Sequence, residues 1–259
     1  MKKFLISCGA ASLLLFSGCG GSKTETSEAP KTEAPAAAPA AAPADDANAA
    51  TITGKVAYTG DAPKMANISM DATPACARAH TTPQKSEQVV VNSNGTLKNA
   101  FIWVKAGLPD KQWPTPTTPV RLEQKGCMYT PHVIGVMTNQ DIEIVNGDPT
   151  NHNIHPLPKD NREWNESQPP GGENKKKNFA RQEVMISVKC NVHPWMRAYI
   201  GVVNNPFFAV TGDDGTFTIK GLPPGKYTLE AWQEKYPPQD IEVTVAPKES
   251  KTVDFSFKG

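Results

Sequence analysis

The chain has 259 residues, with 27 Lys and Arg against 26 Asp and Glu, so its net charge at neutral pH is close to zero. This balance gives no basic surface for nucleic acid, and nucleic acid is therefore excluded as an expected partner. The length allows one large domain or two small ones beside a targeting segment.

The N-terminus predicts export and attachment of a lipid. Residues 1–3 are Met-Lys-Lys, and residues 4–16 form an apolar run that is too short to remain as a membrane-spanning helix. Residues 15–19 read Leu-Phe-Ser-Gly-Cys, which is similar to the bacterial lipobox except that Phe16 stands where Leu is usual. Residues 1–18 are therefore predicted to be a lipoprotein signal peptide, and Cys19 the lipidated residue that anchors the chain to a membrane.

The segment that follows predicts a disordered linker. Residues 19–50 are rich in Ala, Pro, Ser, Thr and Glu and contain no large apolar residue, so they cannot bury a core. Such a segment is an extended tether that lets a folded domain move through the periplasm. Gly20, after the predicted lipidated Cys, favours the outer membrane over the inner membrane.

The rest of the chain has the two-residue period of β-strands. Predicted strands cover residues 51–58, 88–91, 100–104, 141–145 and 184–189, and Pro and Gly clusters separate them. No segment keeps a sustained helical period. The chain is therefore predicted to be all-β.

Three cysteines remain after the signal peptide and the predicted lipid site: Cys76, Cys127 and Cys190. In an oxidising compartment an odd Cys is a hazard unless something occupies it. A disulfide between Cys76 and Cys127 leaves Cys190 for another role. The alternative is a zinc site formed by Cys76 and Cys127 with the nearby His80 and His132, although these spacings are not those of common zinc modules.

The C-terminal region repeats a strand–turn–strand pattern. Residues 210–219 read Val-Thr-Gly-Asp-Asp-Gly-Thr-Phe-Thr-Ile, and residues 221–232 read Gly-Leu-Pro-Pro-Gly-Lys-Tyr-Thr-Leu-Glu-Ala-Trp. This pattern resembles the carboxypeptidase regulatory-like (transthyretin-like) β-sandwich, a scaffold or recognition domain, and implies such a sandwich over residues 206–259. Because that family commonly opens with a strand like residues 52–56, one hypothesis is that residues 51–68 complete this sandwich. The alternative is that this strand belongs to the preceding domain.

Two segments carry potential metal ligands. Residues 190–196 read Cys-Asn-Val-His-Pro-Trp-Met directly after a predicted strand, and residues 151–155 read Asn-His-Asn-Ile-His well upstream. Two imidazoles, one thiolate and a weak axial thioether are the donors of a mononuclear blue copper site. The sequence therefore predicts one type 1 copper ion as the cofactor.

Both segments resemble those of cupredoxins, blue copper proteins of the amicyanin and plastocyanin type, over roughly residues 141–203. The resemblance implies a Greek-key β-sandwich, predicted here over residues 69–205. It implies His152, Cys190 and His193 as equatorial copper ligands and Met196 as the axial ligand. Asn153 would then link the two ligand loops by hydrogen bonds.

His155 is an alternative upstream ligand. In a regular strand an offset of three residues places the rings of His152 and His155 on opposite faces, so only one of them can reach the metal. The residues alone leave both open, and the resemblance favours His152, with His155 pointing to the surface or lying behind the ligands.

The same resemblance implies a carrier of single electrons rather than an enzyme. One Cys in the ligand loop excludes a dinuclear purple copper site, and the five His include no H-x-H pair such as multicopper oxidases use. His193 is expected to show its ring edge to redox proteins such as cytochromes or dehydrogenases, with Pro194 and Trp195 forming the docking patch. Core packing is the alternative role of Trp195. No small-molecule substrate is expected, and the alternative function is a copper-binding or recognition lipoprotein without electron transfer.

Overall fold

The structure is a computed structural model that describes residues 47–259. The predicted signal peptide, the predicted lipid site at Cys19 and most of the predicted linker lie outside the described residues. Within residues 47–259, no helix is both long enough and apolar enough to cross a bilayer.

The described part of the chain consists of β-strands and one short helix, which confirms the predicted all-β class. The elements in chain order are β1 (Ala50–Thr59), α1 (Pro74–Arg78), β2 (Val90–Val91), β3 (Leu97–Lys98), β4 (Phe101–Ala106), β5 (Val120–Lys125), β6 (Met128–Thr130), β7 (Val133–Met137), β8 (Ile142–Asn146), β9 (His152–Leu157), β10 (Glu166–Gln168), β11 (Lys175–Lys177), β12 (Glu183–Lys189), β13 (Arg197–Val203), β14 (Phe208–Val210), β15 (Thr216–Leu222), β16 (Gly225–Trp232), β17 (Gln239–Val245), β18 (Ser250–Thr252) and β19 (Phe255–Lys258).

Strands from both ends of the described chain form one sandwich, called the terminal sandwich below. In its first sheet β1 pairs antiparallel with β15 and parallel with β18 and β19. Its second sheet has the order β14-β4-β16-β17. Alternate residues of β1 are buried, among them Ile52 and Val56, and they share one apolar core with Phe255 and Phe257. The two-residue period of β1 thus directs its apolar side chains into this core.

Strands β5 to β13 form a second sandwich, called the inserted sandwich below. One sheet has the order β10-β9-β12-β13-β7, and the other has the order β11-β8-β5-β6. Its core contains Leu122, Ile144, Ile154 and Val188, and the Cys190 and Met196 side chains belong to the same core.

The strand pairing places the start of the inserted sandwich later in the chain than the predicted start of the copper domain at residue 69. Strand β4 lies in the segment assigned to the copper domain, residues 69–205, but it pairs with β14 and β16 of the terminal sandwich. The inserted sandwich therefore begins after β4. Both faces of β4 are buried from Phe101 to Val104, so its period could not tell which sheet it joins.

The two sandwiches meet at a pair of glycines. Gly135 of β7 and Gly201 of β13 are paired in register, and the rings of Phe101 and Phe208 lie on them. A Cβ atom at Gly135 would lie 2.4 Å from the Phe208 ring, and one at Gly201 would lie 2.6 Å from the Phe101 ring. These glycines are therefore required for the close approach of the two sandwiches.

Residues 60–89, which connect β1 to β2, form an arm that reaches the inserted sandwich. The arm carries α1, and Met70 and Cys76 of the arm pack in the core of the inserted sandwich. Cys76 forms a disulfide with Cys127, as the cysteine count predicted. Cys127 lies in the two-residue turn between β5 and β6, where both it and Gly126 have positive φ, as the hairpin twist requires.

Candidate metal centre

Three strand ends of the inserted sandwich converge at one place. His152 is the first residue of β9, Cys190 follows β12 directly, and His193 lies in the loop that leads into β13. Strands β9 and β12 are antiparallel neighbours, with His155 opposite Lys189, so the start of β9 lies beside the end of β12. The sheet therefore brings together ligand types that are far apart in sequence.

The donor atoms of His152, Cys190 and His193 lie within 4.8 Å of one another. The two Nδ1 atoms are 2.9 Å apart, and Cys190 Sγ is 4.0 Å from His193 Nδ1. The three residues are 0%, 2% and 1% exposed. An ion at about 2.0–2.3 Å from each donor fits between atoms at these separations.

Asp148 orients the His152 ring. Its Oδ2 lies 2.8 Å from His152 Nε2, and it also accepts a hydrogen bond from the backbone N–H of Cys127, while its Oδ1 accepts one from Gly126. A proton on Nε2 donated to the carboxylate leaves the Nδ1 lone pair directed at the other donors. The hairpin turn at Cys127 therefore supports the His152 ring through Asp148.

The lowered pKa values of Cys190 and His193 favour the forms that bind metal, whereas the raised pKa of His152 favours the protonated ring, which must lose a proton when metal binds. Burial opposes ionisation of Cys190, but the His152 ring and backbone N–H groups outweigh it and lower the pKa of the thiol. Burial and the charge of His152 both lower the pKa of His193. Burial by itself lowers the pKa of His152. The hydrogen bonds and charges of Asp148 and Cys190 outweigh burial, so the pKa of His152 is raised. A thiolate at Cys190 and a neutral ring at His193 are the states required of ligands.

Two side chains join the ligand segments. Asn153 Oδ1 accepts a hydrogen bond of 2.6 Å from the backbone N–H of Asn191 and lies 3.2 Å from Cys190 Sγ. The Tyr129 hydroxyl lies 2.6 Å from the carbonyl oxygen of Asn153 and 3.0 Å from that of Lys189. Both hold the start of β9 against the end of β12, as the sequence predicted for Asn153.

The ligand loop is closed on itself by backbone hydrogen bonds. The N–H of His193 points at Cys190 Sγ at 3.3 Å, and the N–H of Met196 donates to the His193 carbonyl at 3.0 Å. The Met196 side chain is fully buried in the same core as Cys190. The loop thus directs the Met196 side chain into the core of the inserted sandwich.

The outer edge of His193 is covered, which corrects the prediction of an exposed ring edge. Its Nε2 lies 3.5 Å from Cys76 Sγ, because the arm places the disulfide over the ring. Trp195 is half-buried, lies 5.1 Å from the His193 ring between centroids and donates from Nε1 to the Cys127 carbonyl. Pro194 is exposed, so the predicted patch of Pro194 and Trp195 is divided between surface and interior.

The remaining histidines lie outside the donor cluster. His155 is half-buried and contacts Asn191 Oδ1 at 3.2 Å and Glu163 Oε1 at 2.5 Å. His80 contacts the Gly126 carbonyl, and His132 contacts Glu234, while Cys76 and Cys127 are joined to each other. The alternative zinc site of Cys76, His80, Cys127 and His132 is therefore not assembled.

Sequence reasoning missed Asp148, Tyr129 and the contact between Cys76 and His193. A carboxylate four residues before a ligand histidine is a signal that could have indicated Asp148, because ligand histidines commonly donate their other N–H to an acid. The Tyr129 and Cys76 contacts depend on strand pairing and on the arm, and no local pattern indicates them.

The donor set suits copper. Soft thiolate and thioether sulfur with borderline imidazole nitrogen matches copper in both common oxidation states, whereas magnesium and calcium require oxygen ligands. His152, Cys190 and His193 would hold the ion, and Met196 is the thioether of the same loop.

Comparison with known proteins gives partial matches. Residues 194–258 match the carboxypeptidase regulatory-like domain family. The matched segment begins inside the ligand loop and includes β13, which pairs in the inserted sandwich. Most of the matched segment consists of β14 to β19 of the terminal sandwich. No curated protein sequence matches the chain.

Solved structures similar to the chain include a Cu-containing nitrite reductase (NirK) from Thermus scotoductus SA-01, at 17% identity and a TM-score of 0.32. That match covers 39% of this chain and 26% of the reductase, so the chain spans about a quarter of its length. A purple cupredoxin from Nitrosopumilus maritimus matches at 16% identity and a TM-score of 0.27, covering 32% of this chain and 97% of that one.

A variant of amicyanin in its Cu(I) form matches at 15% identity and a TM-score of 0.29, covering 40% of this chain and 98% of that one. Both resemblances drawn from the sequence have counterparts among these matches. The chain is an all-β protein with similarity to cupredoxins and a carboxypeptidase regulatory-like match over residues 194–258.

Proposed function

We propose that the chain is a type 1 copper protein that carries single electrons between redox proteins. The observation that supports this most strongly is the buried cluster of His152, Cys190 and His193, whose donor atoms lie within 4.8 Å of one another. Bound copper supplies a one-electron couple between Cu(II) and Cu(I). A mixed donor set held by buried strand ends changes little between the two states, which favours fast transfer.

The residues of the chain have distinct parts in this role. Cys190 presents a thiolate, Asp148 keeps the Nδ1 lone pair of His152 directed inward, and the core around Met196 excludes water. Val192 is 48% exposed and Pro194 is also exposed, and both adjoin His193 in the ligand loop. We propose this exposed loop edge as the place where a redox partner docks, since apolar contact permits brief association.

The predicted signal peptide and Cys19 support a tethered protein of the bacterial cell envelope. The disulfide between Cys76 and Cys127 fits this proposal, because disulfides persist in oxidising compartments such as the periplasm. A lipid-anchored periplasmic carrier, facing partners such as cytochromes or dehydrogenases and acting on no small-molecule substrate, is therefore the proposed setting.

One observation favours a second function, namely copper binding without electron exchange. The His193 ring is 1% exposed and covered by the disulfide, so the usual route through an exposed imidazole edge is shielded. A structural or storage site would be shielded in the same manner.

The test is to load the full chain with Cu(II) and record its visible spectrum and voltammogram. The electron-carrier proposal requires intense visible absorption from thiolate-to-copper charge transfer and reversible one-electron cycling. Strong colour with no accessible reduction would select the second function. A fully loaded, oxidised protein without colour would overturn the type 1 assignment.

Asp148→Asn is expected to weaken copper binding about 10–100-fold, as loss of such a support does at other metal sites. The amide cannot accept from His152 Nε2 and from the Gly126 and Cys127 N–H groups at once, so the His152 ring loses its fixed tautomer. Competition with a copper chelator measures the affinity. Glu163→Gln is the matched control, since Glu163 contacts His155 outside the cluster, and an equal loss in both variants would contradict the role of Asp148.

A further inference from the structure

His193 lies between two groups of sulfur-containing donors. Its Nδ1 faces His152 and Cys190, whereas its Nε2 faces Cys76. The donor atoms of Cys76, Cys127 and His193 also lie within 4.8 Å of one another, and all three residues are buried. A second potential ligand set therefore shares one imidazole ring with the first.

The oxidation state of the disulfide decides whether this second set can bind metal. Disulfide sulfurs are poor ligands, whereas thiolates bind soft ions tightly. With the Cys76–Cys127 bond intact, the set offers only the His193 nitrogen. With the bond reduced, it offers two thiolates and that nitrogen, and Cys76 Sγ already lies 3.5 Å from His193 Nε2.

We propose that reduction of the Cys76–Cys127 disulfide by a dithiol creates a second site for Cu(I), formed by both cysteines and His193 Nε2. In the reduction the protein S–S bond breaks and an S–S bond forms in the dithiol. The dithiol gives two electrons and two protons to Cys76 and Cys127, which become thiols. Each thiol that binds Cu(I) then releases its proton to solvent, and the copper oxidation state does not change.

The arm allows a reductant to reach the buried disulfide. Helix α1 has five residues and no side-chain cap at its N-terminus, and a helix this short has little stability of its own. Ala77 and Arg78, next to Cys76, are exposed, and a cleft of about 460 Å³ is lined by arm residues on both sides of α1. Local opening of the arm, which withdraws Met70 and Cys76 from the core of the inserted sandwich, gives a reductant access to the disulfide.

Sharing of His193 makes the two sites alternatives. A neutral imidazole has a single free lone pair, so it serves a metal through Nδ1 or through Nε2. With the disulfide intact, copper is held by His152, Cys190 and His193. With the disulfide reduced, Cu(I) gains the thiolate-rich site, and the copper ion changes from a redox carrier into a retained ion.

The experiment uses the full chain with Cys190→Ala, which removes the thiolate of the first site and leaves the second intact. One half of the sample is reduced with dithiothreitol and desalted without oxygen, and the other half keeps its disulfide. Both are titrated with Cu(I) against a Cu(I) chelator, and native mass spectrometry counts bound ions. The reduced half is expected to bind one Cu(I) more than the oxidised half, and adding His193→Ala is expected to weaken this ion at least about tenfold.

Cys76→Ser with Cys127→Ser in the same background is the control. It is expected to abolish the additional ion, and persistence of that ion would assign it to Cys8 or Cys19 and overturn the proposal. Equal Cu(I) binding by the reduced and oxidised halves would also overturn it. Because Cys190 is absent throughout, failure of the electron-carrier proposal would leave this result unchanged.

Discussion

Replacing Cys190 with alanine is expected to abolish the intense visible absorption of the copper-loaded protein. The absorption requires a thiolate bound to Cu(II), and Cys190 is the free cysteine among residues 47–259. Two imidazoles without the thiolate form a weaker site of ordinary copper colour. The measurement is the visible spectrum at matched protein and copper concentrations, with circular dichroism to verify that the variant is folded.

His152→Ala and His155→Ala form the matched pair for this result. His152 lies in the donor cluster, whereas His155 of the same strand contacts Glu163 and Asn191. The His152→Ala variant should lose the intense visible absorption, as Cys190→Ala does, and the His155→Ala variant should keep it. Retained colour in Cys190→Ala, or the reverse order of the two histidines, would contradict the proposed ligand set.

Ile52→Ala is expected to lower the free energy of unfolding by about 2–5 kcal/mol, the usual range for such a truncation in a close-packed core. Ile52 is fully buried in the terminal sandwich, although it lies near the start of the described chain. Its strand is the central one, between β15 and the parallel strands β18 and β19. A cavity there weakens packing on both sides of β1.

Urea denaturation of the metal-free, disulfide-intact protein, followed by tryptophan fluorescence, measures this loss. Lys55→Ala is the control on the same strand: its side chain is exposed, and its hydrogen bond to Asp254 uses the backbone N–H. The control should change stability by less than about 0.5 kcal/mol. If Ile52→Ala changes stability no more than the control, β1 is not a core strand of the terminal sandwich.

Local patterns were sufficient to predict the all-β class and the gathering of a ligand loop at a strand end. Cys190 directly follows the alternating run of β12. Because such a run ends where the strand leaves the sheet, Cys190 is expected at the end of the sheet, beside the residues of the following loop. The ligand types within a short loop then indicate the metal without knowledge of the rest of the fold.

The parts that could not be predicted depend on contacts between distant residues. Strand β4 is apolar on both faces, and only its pairing with β14, more than a hundred residues later, assigns it to the terminal sandwich. The cover over His193 depends on an arm that leaves one sandwich and packs on the other. No period or motif in residues 60–89 indicates that destination, since the arm has little regular structure.

The disulfide of the arm also makes a covalent ring from parts of both sandwiches. Cys76 and Cys127 are 51 positions apart, and the chain between them contains β4 of the terminal sandwich and β5 of the inserted one. If the chain is pulled from its two ends, the residues inside this ring do not extend. The stretched chain is therefore shorter by roughly 180 Å, at about 3.6 Å per residue. In the denatured molecule with its disulfide intact, β4 of the terminal sandwich and β5 of the inserted sandwich therefore stay within one closed ring, which limits how far they can separate.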